Sequence, residues 1–361
     1  MSINACFAAD YSDARARFRD AANGAGAHLT AIQHPLRGPR GERLFTDVAW
    51  VGPADATRAI VTISATHGVE GFCGSGCQVA SFGLLKAGEL PAKTALIQIH
   101  AINPHGFAWL RRVNEDNVDL NRNFLDHTKP YPVNEGYEAL ADAILPERWD
   151  DEGRAAADAK LNAYAQQNGP AKLQWAMSGG QYSHPHGIFF GGHAPTWSNR
   201  VISRIFRERL GAMRSLGIID YHTGLGPYGY GEIIAALPLG SPSAVRTREV
   251  LGKEVTSPDD GSSTSAPLTG VNQPALVGLV PNAVCIGLAL EYGTLPVRDV
   301  LDAVRADAWL HAYGDLDSPQ WRAIKATMRS AFYGDADDWR SAVWGRAEEV
   351  TRRVLAGVAA G

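Results

Sequence analysis

Cysteine is scarce in this sequence, which has only four cysteines among its 361 residues. Cys6, Cys73, Cys77 and Cys285 are irregularly spaced, and no two of them form the C-x-x-C of a zinc knuckle or a redox motif. A disulfide framework is therefore excluded, and we expect these thiols to be reduced and mostly buried.

An excess of positive charge is also missing, since 34 Lys and Arg stand against 38 Asp and Glu, for a net charge of −4. This balance argues against a nucleic-acid partner or an anionic membrane partner. No apolar run approaches the ~18–20 residues that span a bilayer, and the N-terminus lacks a basic start followed by an apolar stretch. We therefore expect a cytoplasmic protein with no membrane partner, and the sequence leaves its oligomeric state open.

The sequence has 45% hydrophobic and 20% charged residues, which is the composition of an ordinary soluble globular protein. Four short apolar, β-branched runs predict buried strands at 59–65, 95–101, 217–221 and 284–290. Helical stretches lie between or beside them, at 11–24 and after Gly76 up to about Lys86. Buried strands of this kind predict an α/β fold with a mixed, largely parallel sheet covered by helices on both faces.

The rest of the chain shows no repeat and no long linker, so we predict a single domain over residues 1–361. We expect three additional segments in that domain: a long helical and loop insertion at about 125–216, a Ser/Pro/Gly/Asp-rich loop at 240–275, and a helical C-terminal segment at about 298–361.

Ligand-type side chains follow three of the predicted strands. His67, His222 and Glu291 each come within one or two positions of a strand end. Because open α/β sheets build their sites at the carboxyl ends of their strands, these three residues are candidates for one common site.

His67 belongs to a His67-x-x-Glu70 pair, and two ligands three residues apart in one tight turn can bind a single ion. His222 would complete a His₂Glu set, which with one water suits a catalytic zinc ion. Considered singly, each of these residues has an equally good structural explanation. His67 could be a histidine in a loop, Glu70 a glutamate exposed to solvent, and His222 a core histidine whose hydrogen bonds are satisfied.

Glu291 ends an almost unbroken apolar run that begins at Val284. A charged carboxylate left unpaired there would be costly, so it needs a metal, a cation or a proton. A general base beside a zinc-bound water meets this need, and a buried salt bridge is the alternative.

Two arginines near the middle of the chain suggest anion recognition. Asn121-Arg122 could hold a substrate carboxylate, because arginine binds carboxylates in a bidentate manner. Arg112 could polarise a scissile carbonyl group and stabilise its oxyanion. The alternative is a pair of surface arginines with an Asx turn at Asn121, and we expect Asp119 simply to orient Arg122.

Five short blocks in this order make the sequence resemble the M14 zinc carboxypeptidase superfamily, which includes the aspartoacylase-like deacylases, and within it the DUF2817 branch. The blocks are His67-Gly-Val-Glu70, Asn103-Pro-His-Gly-Phe107, Asp119-Leu-Asn-Arg-Asn-Phe124, Tyr221-His-Thr-Gly224 and Leu290-Glu-Tyr-Gly293.

This resemblance implies a three-layer αβα sandwich and one zinc ion per chain. It implies that His67, Glu70 and His222 bind the zinc and that Glu291 is the base. Asn121 and Arg122 would grip the terminal carboxylate of the substrate, and Arg112 would polarise the carbonyl group. The tyrosine that contacts substrate in digestive carboxypeptidases has three candidates here, namely Tyr228, Tyr230 and Tyr292.

The function we predict is zinc-dependent hydrolysis of an amide bond next to a carboxylate-bearing residue, as in a carboxypeptidase-type metallopeptidase acting on small peptides. The alternative within the same chemistry is an N-acyl amino acid deacylase. Two alternatives involve different functions: a non-catalytic ligand-binding module and a nicotinamide-dependent oxidoreductase. The oxidoreductase alternative rests only on Gly74-x-Gly76, which is half of a dinucleotide-binding fingerprint.

Overall fold

The computed structural model describes residues 2–85 and 88–361, and its centre is one eight-stranded sheet. The strands are β1 (His28–Arg37), β2 (Arg43–Val51), β3 (Arg58–Ile63), β4 (Thr94–His100), β5 (Ser215–Tyr228), β6 (Gly231–Ile234), β7 (Val255–Thr256) and β8 (Val284–Gly293). The four predicted strands correspond to β3, β4, β5 and β8, while the sequence analysis missed β1, β2, β6 and β7.

The strand order is β1-β2-β4-β3-β5-β8-β6-β7. The four predicted strands form the parallel centre, in the order β4-β3-β5-β8. Antiparallel pairing adds β1 and β2 on one side and β6 on the other. Parallel strands are buried on both faces, which explains why these four read as continuous apolar runs.

Twelve α-helices surround the sheet in the described residues. They are α1 (Tyr11–Gly24), α2 (Gly71–Leu84), α3 (Pro104–Ala108), α4 (Glu135–Ile144), α5 (Asp151–Asn168), α6 (Pro170–Ser178), α7 (Trp197–Ile205), α8 (Pro242–Leu251), α9 (Asn272–Gly278), α10 (Val297–Ala312), α11 (Pro319–Phe332) and α12 (Asp337–Ala360). Lys86, the predicted end of α2, lies outside the described residues.

Helices cover both faces of the sheet. Apolar side chains of α1, α2 and α12 form one core with the first face, and side chains of α7 and α9 form a second core with the other face. The result is the predicted three-layer αβα sandwich around a mixed, largely parallel sheet, a carboxypeptidase-like α/β fold.

The predicted insertion at 125–216 contains two kinds of structure. Helices α4, α5 and α6 share a third core with α10 and α11 of the C-terminal segment. Helix α7 instead packs on the sheet, so it belongs to the sandwich. The single-domain organisation over 1–361 stays a prediction.

The loop predicted at 240–275 is wrong in its first part, because residues Pro242–Leu251 form α8. Ser241 caps this helix through a hydrogen bond from the Ala244 backbone N–H, and Pro242 occupies its first turn. All four cysteines are free and buried. Among the described helices, none combines the length and the apolar character that crossing a bilayer requires.

Candidate metal centre and active site

The ends of β3, β5 and β8 bring the predicted ligands together. His222 and Glu291 are register partners on the neighbouring strands β5 and β8. His67 follows β3 and starts a tight turn over Gly68–Glu70 that leads directly into α2. A Cβ atom at Gly68 would lie 2.0 Å from the backbone of Gly106, so only glycine allows this close approach.

Three of the predicted residues converge on one point. His67 Nδ1 lies 2.9 Å from Glu70 Oε1, and His222 Nδ1 lies 3.0 Å from Glu70 Oε2. The two Nδ1 atoms are 3.2 Å apart. All three side chains are buried, and within the described ranges they form a group able to hold a metal ion.

These separations suit zinc. A tetrahedral zinc ion with bonds of 2.0–2.1 Å places its ligand nitrogen atoms about 3.3 Å apart, close to the 3.2 Å between the two Nδ1 atoms. The donor set of two imidazoles and one carboxylate is also one that zinc takes at catalytic sites, as the known carboxypeptidase A site illustrates.

Each histidine has a second carboxylate behind it. His67 Nε2 lies 3.1 Å from Asp119 Oδ1, and His222 Nε2 lies 3.0 Å from Asp220 Oδ2 as an ion-pair contact. Carboxylates in this position fix the orientation of a ligating imidazole and the nitrogen that carries its proton. Asp119 therefore faces His67 rather than orienting Arg122 alone, which corrects the sequence-based expectation.

The buried carboxylates have opposed pKa shifts. Burial alone would raise the pKa of Glu70, but the charge of His67 and the hydrogen bond with His222 outweigh it and lower the pKa. Burial, followed by repulsion from Glu70, raises the pKa of Glu291 to about 8. A carboxyl group whose pKa is shifted this far beside the candidate ligands is a candidate for proton transfer.

A backbone contact holds the Glu291 carboxylate in place. The Leu225 N–H group donates a hydrogen bond of 3.0 Å to Glu291 Oε1. Leu225 follows His222 at the end of β5, so the strand that supplies one candidate ligand also orients the candidate base.

Arg112 is bound to the same group. Its Nε donates to Asp119 Oδ2 at 2.9 Å, its Nη1 lies 3.3 Å from Glu70 Oε1, and its Nη2 lies 2.8 Å from His67 Nε2. Burial opposes the charge of this guanidinium, but Asp119 and Glu70 overcome it and raise the pKa of Arg112. The side chain is thus a fixed positive charge beside the candidate metal position.

Arg122 is buried, and its hydrogen-bond partners are neutral. Its Nη1 donates to Asn121 O at 3.0 Å and its Nη2 to Ser178 O at 2.5 Å, while Nε finds no hydrogen-bond partner among the described residues. The nearest carboxylate, that of Asp119, is 3.9 Å away. Burial and repulsion from Arg112 outweigh the attraction of Asp119 and lower the pKa of Arg122 to about 10, which leaves a positive charge that this distant carboxylate neutralises only in part.

A backbone hydrogen bond fixes the side chain of Asn121. The Asn272 N–H group donates to Asn121 Oδ1 at 3.1 Å, which directs the amide oxygen toward the start of α9. Asn121 also lines the cavity described below.

A cavity of about 580 Å³ joins these side chains. Among the predicted site residues, its lining includes His67, Arg112, Asn121, Arg122, His222 and Glu291. The insertion adds Gln174, Ser178 and Phe189 to the wall, and residues of the segment 236–275 and apolar side chains of α10 cover much of the remainder. This volume is sufficient for a small peptide or an acylated amino acid.

Some expectations about the site are not met, and some residues were missed. Tyr228 and Tyr230 are exposed and Tyr292 is fully buried, so none of the three candidate tyrosines belongs to the cavity wall of the described chain. Asp220 and Phe189 were not among the predicted site residues. Asp220 stands two residues before His222 on β5, and this i, i+2 spacing at a strand end was a usable signal, because it places both side chains on one face.

The fold and this set of side chains define the class of protein. It has the architecture of a carboxypeptidase-like α/β protein, with a buried His-Glu-His group at the carboxyl edge of the sheet. The family model described as "Protein of unknown function (DUF2817)" matches residues 7–346, and the chain belongs to this family. No curated protein sequence matches the chain.

Several solved structures are similar to this chain, and the first of them supports the fold. Thrombin activatable fibrinolysis inhibitor is similar with a TM-score of 0.54 and 10% identity, over 98% of this chain and 74% of that one. Carboxypeptidase A from Helicoverpa armigera has a TM-score of 0.49 and 13% identity, over 92% of this chain and 75% of that one. A succinylglutamate desuccinylase from Silicibacter sp. has a TM-score of 0.41 and 13% identity, over 80% and 67%.

Proposed function

We propose that the protein is a zinc-dependent hydrolase that cleaves an amide bond adjacent to a carboxylate-bearing residue, with one zinc ion per chain. The observation that carries this proposal is the convergence of two Nδ1 atoms and a carboxylate, 2.9–3.2 Å apart, on a cavity that Glu291 also lines. A bound zinc ion supplies Lewis acidity and a water of lowered pKa at such a site.

The chain's own residues divide the remaining tasks. Glu291, fixed by the Leu225 N–H group, would accept a proton from the attacking water and hold it for the leaving amine. The Arg112 guanidinium would stabilise the negative charge that develops on the carbonyl oxygen. Glu291 also argues against a binding module that does no chemistry, because a carboxylate there costs stability and binding alone does not require it.

Arg122 supports the carboxylate preference. Its guanidinium is buried beside the cavity with neutral hydrogen-bond partners, and its Nε is without a partner in the part of the chain that the structure describes. A buried cation in this state gains most from an anionic ligand, and a carboxylate matches the fork of its N–H groups. The Asn121 NH₂ group would add a neutral donor to the same carboxylate.

We infer that the substrate is either a small peptide cleaved at its C-terminal residue or an N-acyl amino acid. Both place a free carboxylate one residue from the scissile amide, so both fit Arg122 and the metal group equally well. The named activities of similar structures, carboxypeptidase and succinylglutamate desuccinylase, belong to the same two classes.

The test is hydrolysis by zinc-loaded protein of a panel of N-blocked dipeptides and N-acyl amino acids, each beside an amidated analogue that lacks the free carboxylate. We expect cleavage of free acids only, loss of cleavage in Glu291→Gln, and full zinc content in that variant. Undiminished turnover by Glu291→Gln, or cleavage that survives removal of the metal by a chelator, contradicts the proposal.

A further inference from the structure

The insertion places an aromatic ring against both arginines of the site. The Cζ atom of Arg112 lies 5.1 Å from the centre of the Phe189 ring, and that of Arg122 lies 5.3 Å from it. Phe189 is buried and lines the cavity. Cations at this distance over an aromatic face are attracted by its negative potential.

The backbone of Phe189 is held in an uncommon conformation. Its φ angle is +54°, in the left-handed region that bulky side chains rarely adopt. The Gln181 N–H group donates to Phe189 O at 3.2 Å, and the Asp119 N–H group donates to Phe190 O at 2.8 Å. Strained residues held from both sides in this way are concentrated at functional sites.

Polar contacts continue this support into the body of the protein. Asn117 Nδ2 donates to the carbonyl groups of Pro185 and Gly187, just before Phe189. Asn117 Oδ1 in turn accepts from Arg111, whose Nε donates to the buried carboxylate of Asp307 on α10. The position of the ring is therefore fixed by the surrounding structure.

We propose that Phe189 is a positioning residue, whose ring holds the Arg122 guanidinium ready for the substrate carboxylate and sets its place relative to Arg112. This inference rests on the proposed function. The ring stabilises two neighbouring positive charges without neutralising either of them, because it carries no net charge.

A carboxylate in place of the ring would not serve this purpose. It would pair directly with Arg122 and would compete with the carboxylate of the substrate. The hydrogen-bond partners of Arg122 are two backbone carbonyl groups, its ring partner is neutral, and its contact with the Asp119 carboxylate is long at 3.9 Å, so its charge is only partly neutralised. Anion recognition requires a cation that is not fully paired, and Phe189 supplies a neutral neighbour of Arg122 that lines the cavity.

The experiment measures binding of N-acetylglycine, a small acyl amino acid, to zinc-loaded protein by calorimetry, in a Glu291→Gln background that prevents turnover. We expect Phe189→Leu to weaken binding about five- to thirtyfold, which is the strength of a desolvated cation–π contact. Phe189→Tyr keeps the aromatic face and should bind within about twofold of the parent.

Two controls separate positioning from a general loss of structure. Phe190→Leu removes an aromatic ring from the next residue, which is also buried but is not among the residues that line the cavity. This variant should bind N-acetylglycine as the parent does. In an Arg122→Leu background, Phe189→Leu should add little further loss, because its effect passes through that guanidinium. Phe189→Met, which preserves side-chain bulk, replaces Phe189→Leu if the latter unfolds.

Equal binding by the parent and Phe189→Leu overturns the inference, and so does an undiminished effect of Phe189→Leu once Arg122 is gone. Failure of the parent protein to bind N-acetylglycine and every other free acid of the panel, N-blocked dipeptides included, contradicts the proposed function itself. Binding by the parent with no dependence on Phe189 contradicts only the role of the ring.

Discussion

Replacing Asp220 by asparagine tests how the candidate metal ligands are held. Asp220 is buried, accepts hydrogen bonds from Thr66 Oγ1 at 2.8 and 2.9 Å and from Asn272 Nδ2 at 2.7 Å, and lies 3.0 Å from His222 Nε2. In the asparagine variant an NH₂ group replaces one of these oxygen atoms. His222 then loses the negative charge behind its ring in either orientation of the amide, and the NH₂ group also takes an acceptor away from His222 or from a neighbouring donor.

We expect Asp220→Asn to weaken zinc binding roughly tenfold to a hundredfold, which is the usual cost of losing a carboxylate behind a ligating histidine. This loss corresponds to about 1.4–2.7 kcal/mol. The assay is a competition between the metal-free protein and a chromophoric chelator for zinc. It requires no knowledge of the substrate.

The matched control is Asp307→Asn. Asp307 is as buried as Asp220, but it pairs with Arg111 and Lys325 away from the metal group. This variant should lose stability and keep its zinc affinity. If Asp220→Asn binds zinc as tightly as the parent, or if Asp307→Asn loses affinity to the same extent, then Asp220 does not orient His222 for a metal.

Three further outcomes are expected. Arg122→Leu should raise KM for free-acid substrates at least tenfold and leave the zinc content intact, because a charge-assisted hydrogen bond contributes about 1.5–3 kcal/mol; an unchanged KM removes Arg122 from substrate binding. Removing the metal with a chelator should lower Tm, and zinc should restore it, because an ion that binds only the folded state stabilises it; an unchanged Tm argues against a resident metal. Asp307→Asn should cost about 3–5 kcal/mol in urea unfolding at pH 7, since it breaks a buried pair. Burial alone would raise the pKa of Asp307, but Lys325 and Arg111 outweigh it and lower the pKa from 3.8 to about 2. Asp307 therefore gives the parent about 2 kcal/mol of stability above pH 4, which is lost as the pH falls toward 2. The difference in unfolding free energy between variant and parent should therefore narrow in acid. A difference that stays constant with pH would show that the charge of Asp307 is not what stabilises the fold.

The central strands were predictable from the sequence, and the edges of the sheet were not. The strands β3, β4, β5 and β8 are buried on both faces and therefore appear as continuous apolar runs. β1 is largely exposed and carries mixed side chains, while β6 and β7 are only four and two residues long. Such short or exposed strands are specified by their pairing with neighbours, which a local pattern does not show.

By itself the sequence determined which side chains stand at the strand ends, and a sheet with parallel central strands brings those ends to one edge. His67, Glu70, His222 and Glu291 could be named on that basis. Only the tertiary structure decided what surrounds them: Asp119 behind His67, Asp220 behind His222, and the Phe189 ring against two arginines. The physical reason is that charge state and orientation depend on burial and on partners far away along the chain, which strand patterns do not encode.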